Sequence, residues 1–140
     1  MSTPAAISDL VHRYCDAVVH KNREQWAATW TENAHWDLGM GRVMDGRQAI
    51  VDYWVGAVEA FDVVVQLAHN GQATVDGDRG TGRWYISEHM QRRDGSTGLL
   101  LAFYDDDYAR VDGNWLFDRR AITILYRGPG DLGAPFARRA

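Results

Sequence analysis

Three Asp-Gly dipeptides, at 76–77, 94–95 and 112–113, cut the second half of the chain into four strand-like runs. Asp-Gly between strand-like runs is among the strongest short-range hairpin signals, since both residues tolerate the backbone of a tight turn. The runs, about 63–75, 78–93, 96–111 and 114–126, read as an antiparallel meander. If each Asp-Gly fills a two-residue loop, Val75 faces Asp78, Arg93 faces Ser96 and Val111 faces Asn114. Four rungs follow. The first is His69, Trp84, Asp105, Arg120, and the second Leu67, Ile86, Phe103, Ile122. Val65, Glu88, Leu101, Ile124 and then Val63, Met90, Leu99, Tyr126 complete the set. Side chains alternate along a strand, so these rungs share one face. That face is mostly apolar and predicts cover by helices. A three-residue loop at any turn would reverse the strands beyond it.

The first half reads as helix. Ser2 or Thr3 can cap, with Pro4 in the first turn. Ile7, Leu10, Val11, Tyr14 and Val18 then recur at helical spacing. A second helix covers about 24–31, with Trp26 and Trp30 four apart, and a short strand covers 35–38. Gly39, Gly41 and Asp45-Gly46 mark a loop or hairpin. A third helix, from 47 to about 60, carries Ile50, Tyr53, Trp54 and Val58. The tail from Gly128 reads as a loop, mobile unless it docks. Helices followed by a meander make the fold class α+β.

A length of 140 residues suits one domain. Hydrophobic residues at 46% and charged residues at 24% exclude a disordered or coiled-coil chain. The net charge of −4 argues against a nucleic-acid partner. The longest apolar run, 99–104, cannot span a membrane. No secretory signal is visible and Cys15 has no cysteine partner, so a soluble, cytoplasmic protein is expected. Six Trp, six Tyr and four Phe suit a thick core or an apolar pocket.

The first rung breaks the apolar pattern of its own face. Asp105 and Arg120 sit on adjacent strands, about 4.8 Å apart, and can pair. His69 lies roughly 10 Å from Asp105, a gap wide enough for a substrate. A neutral His can take a proton, and an Arg can steady the anion that develops. The same residues also suit the polar rim of a sheet. Glu88, inside the apolar face, reads either as a general acid or base with a raised pKa or as a sign that the strand is shifted. Asp106 and Asp107 read as solvated or paired with Arg119. The histidines at 12, 20, 35, 69 and 89 show no metal-ligand spacing, and no phosphate-binding glycine loop or nucleophile elbow is present. No cofactor is expected. Cys15 reads as a small buried residue.

RYCDAVVHKNREQWAATWTENAHWDLG, the DGRQAIVDYW helix, the single His69 on the first long strand and YDDDYARVDGNWLFDRR together resemble the SnoaL-like, nuclear transport factor 2-like superfamily, over about residues 5–127. The resemblance implies a cone-shaped barrel, with N-terminal helices packed into a strongly curved, mainly antiparallel sheet around a pocket. Its members include scytalone dehydratase, hexachlorocyclohexane dehydrochlorinase and bile acid 7α-dehydratase. By that resemblance His69 falls at the catalytic base and Arg120 at a pocket-facing arginine. The Asp that orients the base falls on Val19: either another carboxylate, such as Asp16, Asp105 or Glu88, replaces it, or the chemistry differs, or there is none. His89 falls near a second dehydratase histidine, although the register turns it outward. The implied function is a cofactor-independent lyase or isomerase acting on a small apolar, cyclic substrate. His69 would abstract the proton, with Asp105 or Glu88 as a carboxylate partner. Arg120 and Tyr14 would steady the anion. Trp30, Trp36, Trp54, Trp84, Ile86, Phe103 and Ile122 would grip the rings. The alternatives are a non-catalytic binding or accessory domain and, third, epoxide hydrolysis by an activated water. A homodimer or homotrimer is the implied assembly.

Overall fold

The computed structural model describes residues 3–138; Ser2, a candidate cap, lies outside them. The chain runs through α1 (Thr3–His20), α2 (Arg23–Ala27), β1 (Trp30–Asp37), β2 (Val43–Asp45) and α3 (Arg47–Glu59). Four long strands follow: β3 (Phe61–Asp76), β4 (Arg79–Arg92), β5 (Thr97–Val111) and β6 (Asn114–Gly128). They form one sheet in the order β2-β1-β6-β5-β4-β3, in which only the β1–β6 pair is parallel. The architecture is α+β, with the helices held in the concavity of a curved sheet.

The apolar stripe of α1 is buried as its spacing predicts: Ile7, Leu10, Val11, Tyr14 and Val18 all lie in the core. Asn22 caps α2 by accepting a hydrogen bond from the Gln25 amide. This helix ends sooner than its Trp26–Trp30 spacing suggests. The Thr29 hydroxyl closes it on the Trp26 carbonyl, and the Phe117 amide donates to the Thr29 carbonyl. Trp30 and Thr31 are thereby drawn into the sheet beside β6. Both tryptophans still meet in the core, with ring centroids 5.5 Å apart.

The meander is present, but its register departs from the expected one at two turns and three bulges. The first turn closes as Asp76 opposite Arg79, so Gly77-Asp78 is the loop. A bulge at His69-Asn70 then reverses the near half of β3. Val64 and Gln66 face inward there, while Val63 and Leu67 are about half exposed. The second turn has three loop residues, Arg93-Asp94-Gly95, closed by the Arg92 amide on the Ser96 carbonyl. Asp94 accepts from the Ser96 amide, and Gly95 has φ +88, the left-handed residue of a three-residue hairpin. That extra residue turns Leu100, Ala102, Tyr104, Asp106 and Tyr108 inward, and Leu101, Phe103 and Asp105 outward. The third turn closes as expected, Val111 opposite Asn114. A bulge at Asp118 then restores the inward direction of Arg120, Ile122 and Ile124. A last bulge at Leu125 turns Tyr126 outward and Arg127 inward. The tail docks on this outward Tyr126. The Phe136 ring lies 4.9 Å from its ring, and the Ala137 amide donates to the Leu125 carbonyl.

Sheet curvature rests on small residues where strands approach a neighbour's side chain. A Cβ on Gly71 would fall 2.3 Å from the Trp84 ring, and one on Gly82 would fall 2.6 Å from the Tyr108 hydroxyl. Gly71→Ala is expected to destabilise by about 1–3 kcal/mol, the usual result of overpacking a filled site. Urea unfolding measures this, and a loss below about 0.5 kcal/mol would show that Trp84 can move aside.

Candidate functional site

A cavity of about 240 Å³ lies between the helices and the inner face of the sheet. α1 supplies Tyr14 and Val18, β1 supplies Trp36, and α3 supplies Tyr53, Trp54 and Val58. The sheet contributes Val64 and Gln66 from β3, Glu88 from β4, Leu100 and Tyr104 from β5, and Ile122, Ile124 and Arg127 from β6. The walls are aromatic and aliphatic, so the few polar groups stand out against them.

Glu88 is the carboxylate of this cavity. Gln66 Nε2 donates to its Oε2 over 2.9 Å, which holds the carboxylate in place. Burial pushes its pKa above the usual carboxylate range, against the hydrogen bond from Gln66 and the longer-range pull of Arg127. Gln66 is itself buried, and its Oε1 has no hydrogen-bond partner among the described residues.

Tyr14 and Tyr104 line another part of the wall, with ring centroids 6.3 Å apart. Burial raises both phenols above their ordinary value, so they stay protonated donors at neutral pH. Beneath them lies the Arg120 guanidinium, 3.8 Å from the Tyr104 ring centroid and 4.6 Å from that of Tyr14. Arg120 and Asp106 form a bidentate pair at 2.7 and 3.2 Å, and both are buried. Trp84 Nε1 donates to the Tyr108 hydroxyl, which donates to Asp106. A cation fixed behind two neutral phenols favours negative charge on whatever accepts their protons.

Of the carboxylate, imidazole and guanidinium groups expected at the site, Glu88 lines the cavity and Arg120 backs it. His69 does not enter: the bulge at 69–70 places it on the convex face, with its Nε2 2.7 Å from Ser87 Oγ. None of the five histidines lines the cavity, and His89 is exposed. Asp105 is also turned outward, by the three-residue loop, and pairs with Arg83 at 2.8 Å. Its expected place beside Arg120 belongs to Asp106, which is buried rather than solvated. Tyr14 lines the wall as expected, and so do Trp36, Trp54 and Ile122. Trp30, Trp84 and Ile86 are buried in the core behind the wall, and Phe103 packs on Tyr85 at the convex face. Gln66, Tyr104 and Arg127 were absent from the sequence expectations. A three-residue reading of Arg93-Asp94-Gly95 would have found Tyr104, whereas no local signal marks the bulges that aim Gln66 and Arg127. Cys15 is buried, its thiol pushed up to about 11 by burial, which makes it a poor nucleophile. Among the described residues, no three His, Cys, Asp or Glu side chains gather as metal ligands.

The sequence profile of the SnoaL-like domain matches residues 1–121. This chain belongs to the SnoaL-like domain family. Similar solved structures agree with that fold. A type 2 hexachlorocyclohexane dehydrochlorinase superposes with a TM-score of 0.83 at 22% identity, covering 96% of this chain and 92% of its own. A scytalone dehydratase-like protein of Novosphingobium aromaticivorans gives 0.85 at 21%, covering 97% and 93%. A Mycobacterium tuberculosis protein of unknown function, Rv3472, gives 0.77 at 26%, covering 86% and 74%. The fold is thus shared with a dehydrochlorinase and a scytalone dehydratase-like protein. This SnoaL-like chain departs from the expected base and its orienting partner. Val19 is half-buried on α1 and His69 points away from the cavity. Of the three carboxylates considered as substitutes, Asp16 and Asp105 lie outside the cavity, and Glu88 alone lines it.

Proposed function

We propose that this protein is a cofactor-independent lyase or isomerase that moves a proton on a small apolar ring substrate, with Glu88 as the base. The observation that carries this reading is a carboxylate with a raised pKa in an apolar cavity whose wall also holds two neutral phenols backed by Arg120. A base works best when its pKa approaches the ambient pH, and burial moves Glu88 in that direction. Glu88 takes a proton from a carbon next to an electron-withdrawing group. Tyr14 and Tyr104 then hold the oxygen on which charge collects, or hand a proton to a leaving oxygen. Trp36, Trp54, Ile122 and Ile124 exclude water and fix the ring. Returning the proton elsewhere on the ring is isomerisation; losing a group from the neighbouring carbon is elimination.

The test is deuterium exchange from solvent into small cyclic ketones, followed by NMR. The wild type is expected to accelerate exchange. Tyr14→Phe is expected to slow it by about 10–100-fold, since Tyr104 remains as a donor. A wild type that binds these ketones without accelerating exchange would instead support a binding domain, the reading that the displaced His69 favours.

A further inference from the structure

The cavity does not end at Glu88. A second, larger chamber of about 600 Å³ adjoins it, and the two share Phe61, Glu88, Leu100 and Arg127 as lining residues. Register explains the shared threshold. Glu88 faces Leu100 on β5, and Leu100 faces Arg127 on β6, so the acid and the guanidinium sit on one rung with a leucine between them. Two strand spacings separate their backbones, roughly 10 Å. Arg127 faces this way only because of the bulge at Leu125; without it, the side chain would leave on the convex face. The outer chamber adds Arg92, whose guanidinium donates weakly to the Thr97 carbonyl at 3.4 Å and lies 4.0 Å from Met90 Sδ. Neither Arg127 nor Arg92 has an ion-pair partner within 4 Å among the described residues, and Glu88 is the chamber's one carboxylate. Apolar Ala60, Leu99 and Pro129 complete its wall.

We propose that the molecule taken by this site is an apolar ring carrying a carboxylate: the ring fills the inner chamber and the carboxylate is held in the outer one by Arg127, with Arg92 beside it. This rests on the proposed role of Glu88 and narrows its substrate class. The anion is held beyond the threshold on the Arg127 side, so it neutralises a guanidinium instead of repelling the base. Two guanidiniums facing one open chamber match a planar carboxylate.

The experiment compares 2-naphthylacetate with its uncharged amide, read by quenching of Trp36 and Trp54 at the inner wall. The wild type is expected to bind the acid about tenfold more tightly than the amide, a preference that weakens as salt rises. Arg127→Gln with Arg92→Gln is expected to remove the preference, bringing the acid's affinity down to that of the amide. Glu88→Gln is expected to keep it. Equal affinity for acid and amide in the wild type overturns the proposal. So does a preference that survives in the double variant, or one that disappears in Arg42→Gln alone, since Arg42 lines the inner cavity. Exchange activity is scored separately. Exchange that depends on Glu88 without acid preference sinks this inference alone. Acid preference without exchange leaves the anion site standing and removes the catalytic reading.

Discussion

Arg120→Ala is expected to destabilise the protein by about 3–5 kcal/mol, a large share of the 5–15 kcal/mol that holds a typical domain together. Arg120 and Asp106 are both buried, and the substitution leaves the Asp106 carboxylate with the Tyr108 hydroxyl as its remaining donor. Burial already pushes the Asp106 carboxyl upward, and Arg120 opposes that shift. Its loss drives the carboxyl to take up a proton in the core. The planar guanidinium also fills the space among the Tyr14, Tyr104 and Phe117 rings, so a cavity opens under the phenols. Asp106→Asn combined with Arg120→Gln removes both charges and is expected to recover part of the loss. Urea unfolding of the single and double variants measures it. A change within about 0.5 kcal/mol for Arg120→Ala would mean that water reaches the pair.

The same pair shows how far the sequence was legible. Periodicity in α1 and α3 and the Asp-Gly turns led to the right elements, because both signals are local. Inward and outward direction was not local. One extra residue in the Arg93-Asp94-Gly95 loop exchanged Asp105 for Asp106, and a bulge at Asp118 restored Arg120 to the inner face. Arg120 was therefore expected beside an aspartate and is beside one, but next along the chain. His69 had no such second correction, since a single bulge turned it out beside Ser87. Bulges depend on how a strand bends around the packed helices, and the close approach of Trp84 to Gly71 is part of that bend. Glu88 was legible because a carboxylate inside an apolar run stands out whatever its neighbours' register. Leu100 replaced Leu101 opposite it, yet the acid stayed inside.

Glu88→Gln is expected to slow proton transfer by about 10²–10⁴-fold, the usual contribution of a positioned general base. The replacement suits the site sterically: its amide can donate to Gln66 Oε1, which has no partner among the described residues of the parent. Lost activity would therefore report lost basicity, not lost packing. The pH dependence gives an independent check. Glu88 must be ionised to act, so wild-type activity is expected to rise with pH through a pKa above the usual carboxylate range, and this limb should vanish from any residual activity of the variant. Stability should move the other way. The folded state binds the Glu88 proton more tightly than the unfolded chain does, so this group's support for folding is full below the unfolded pKa and is lost as pH rises through the folded one. Glu88→Gln has no carboxylate to bury. It is expected to be more stable than the parent at about pH 7 and to lose that advantage near about pH 4. Denaturation at the two pH values decides the point. A variant less stable than the parent at neutral pH would mean that the carboxylate is anchored by its partners, and that the apolar cavity does not raise its basicity.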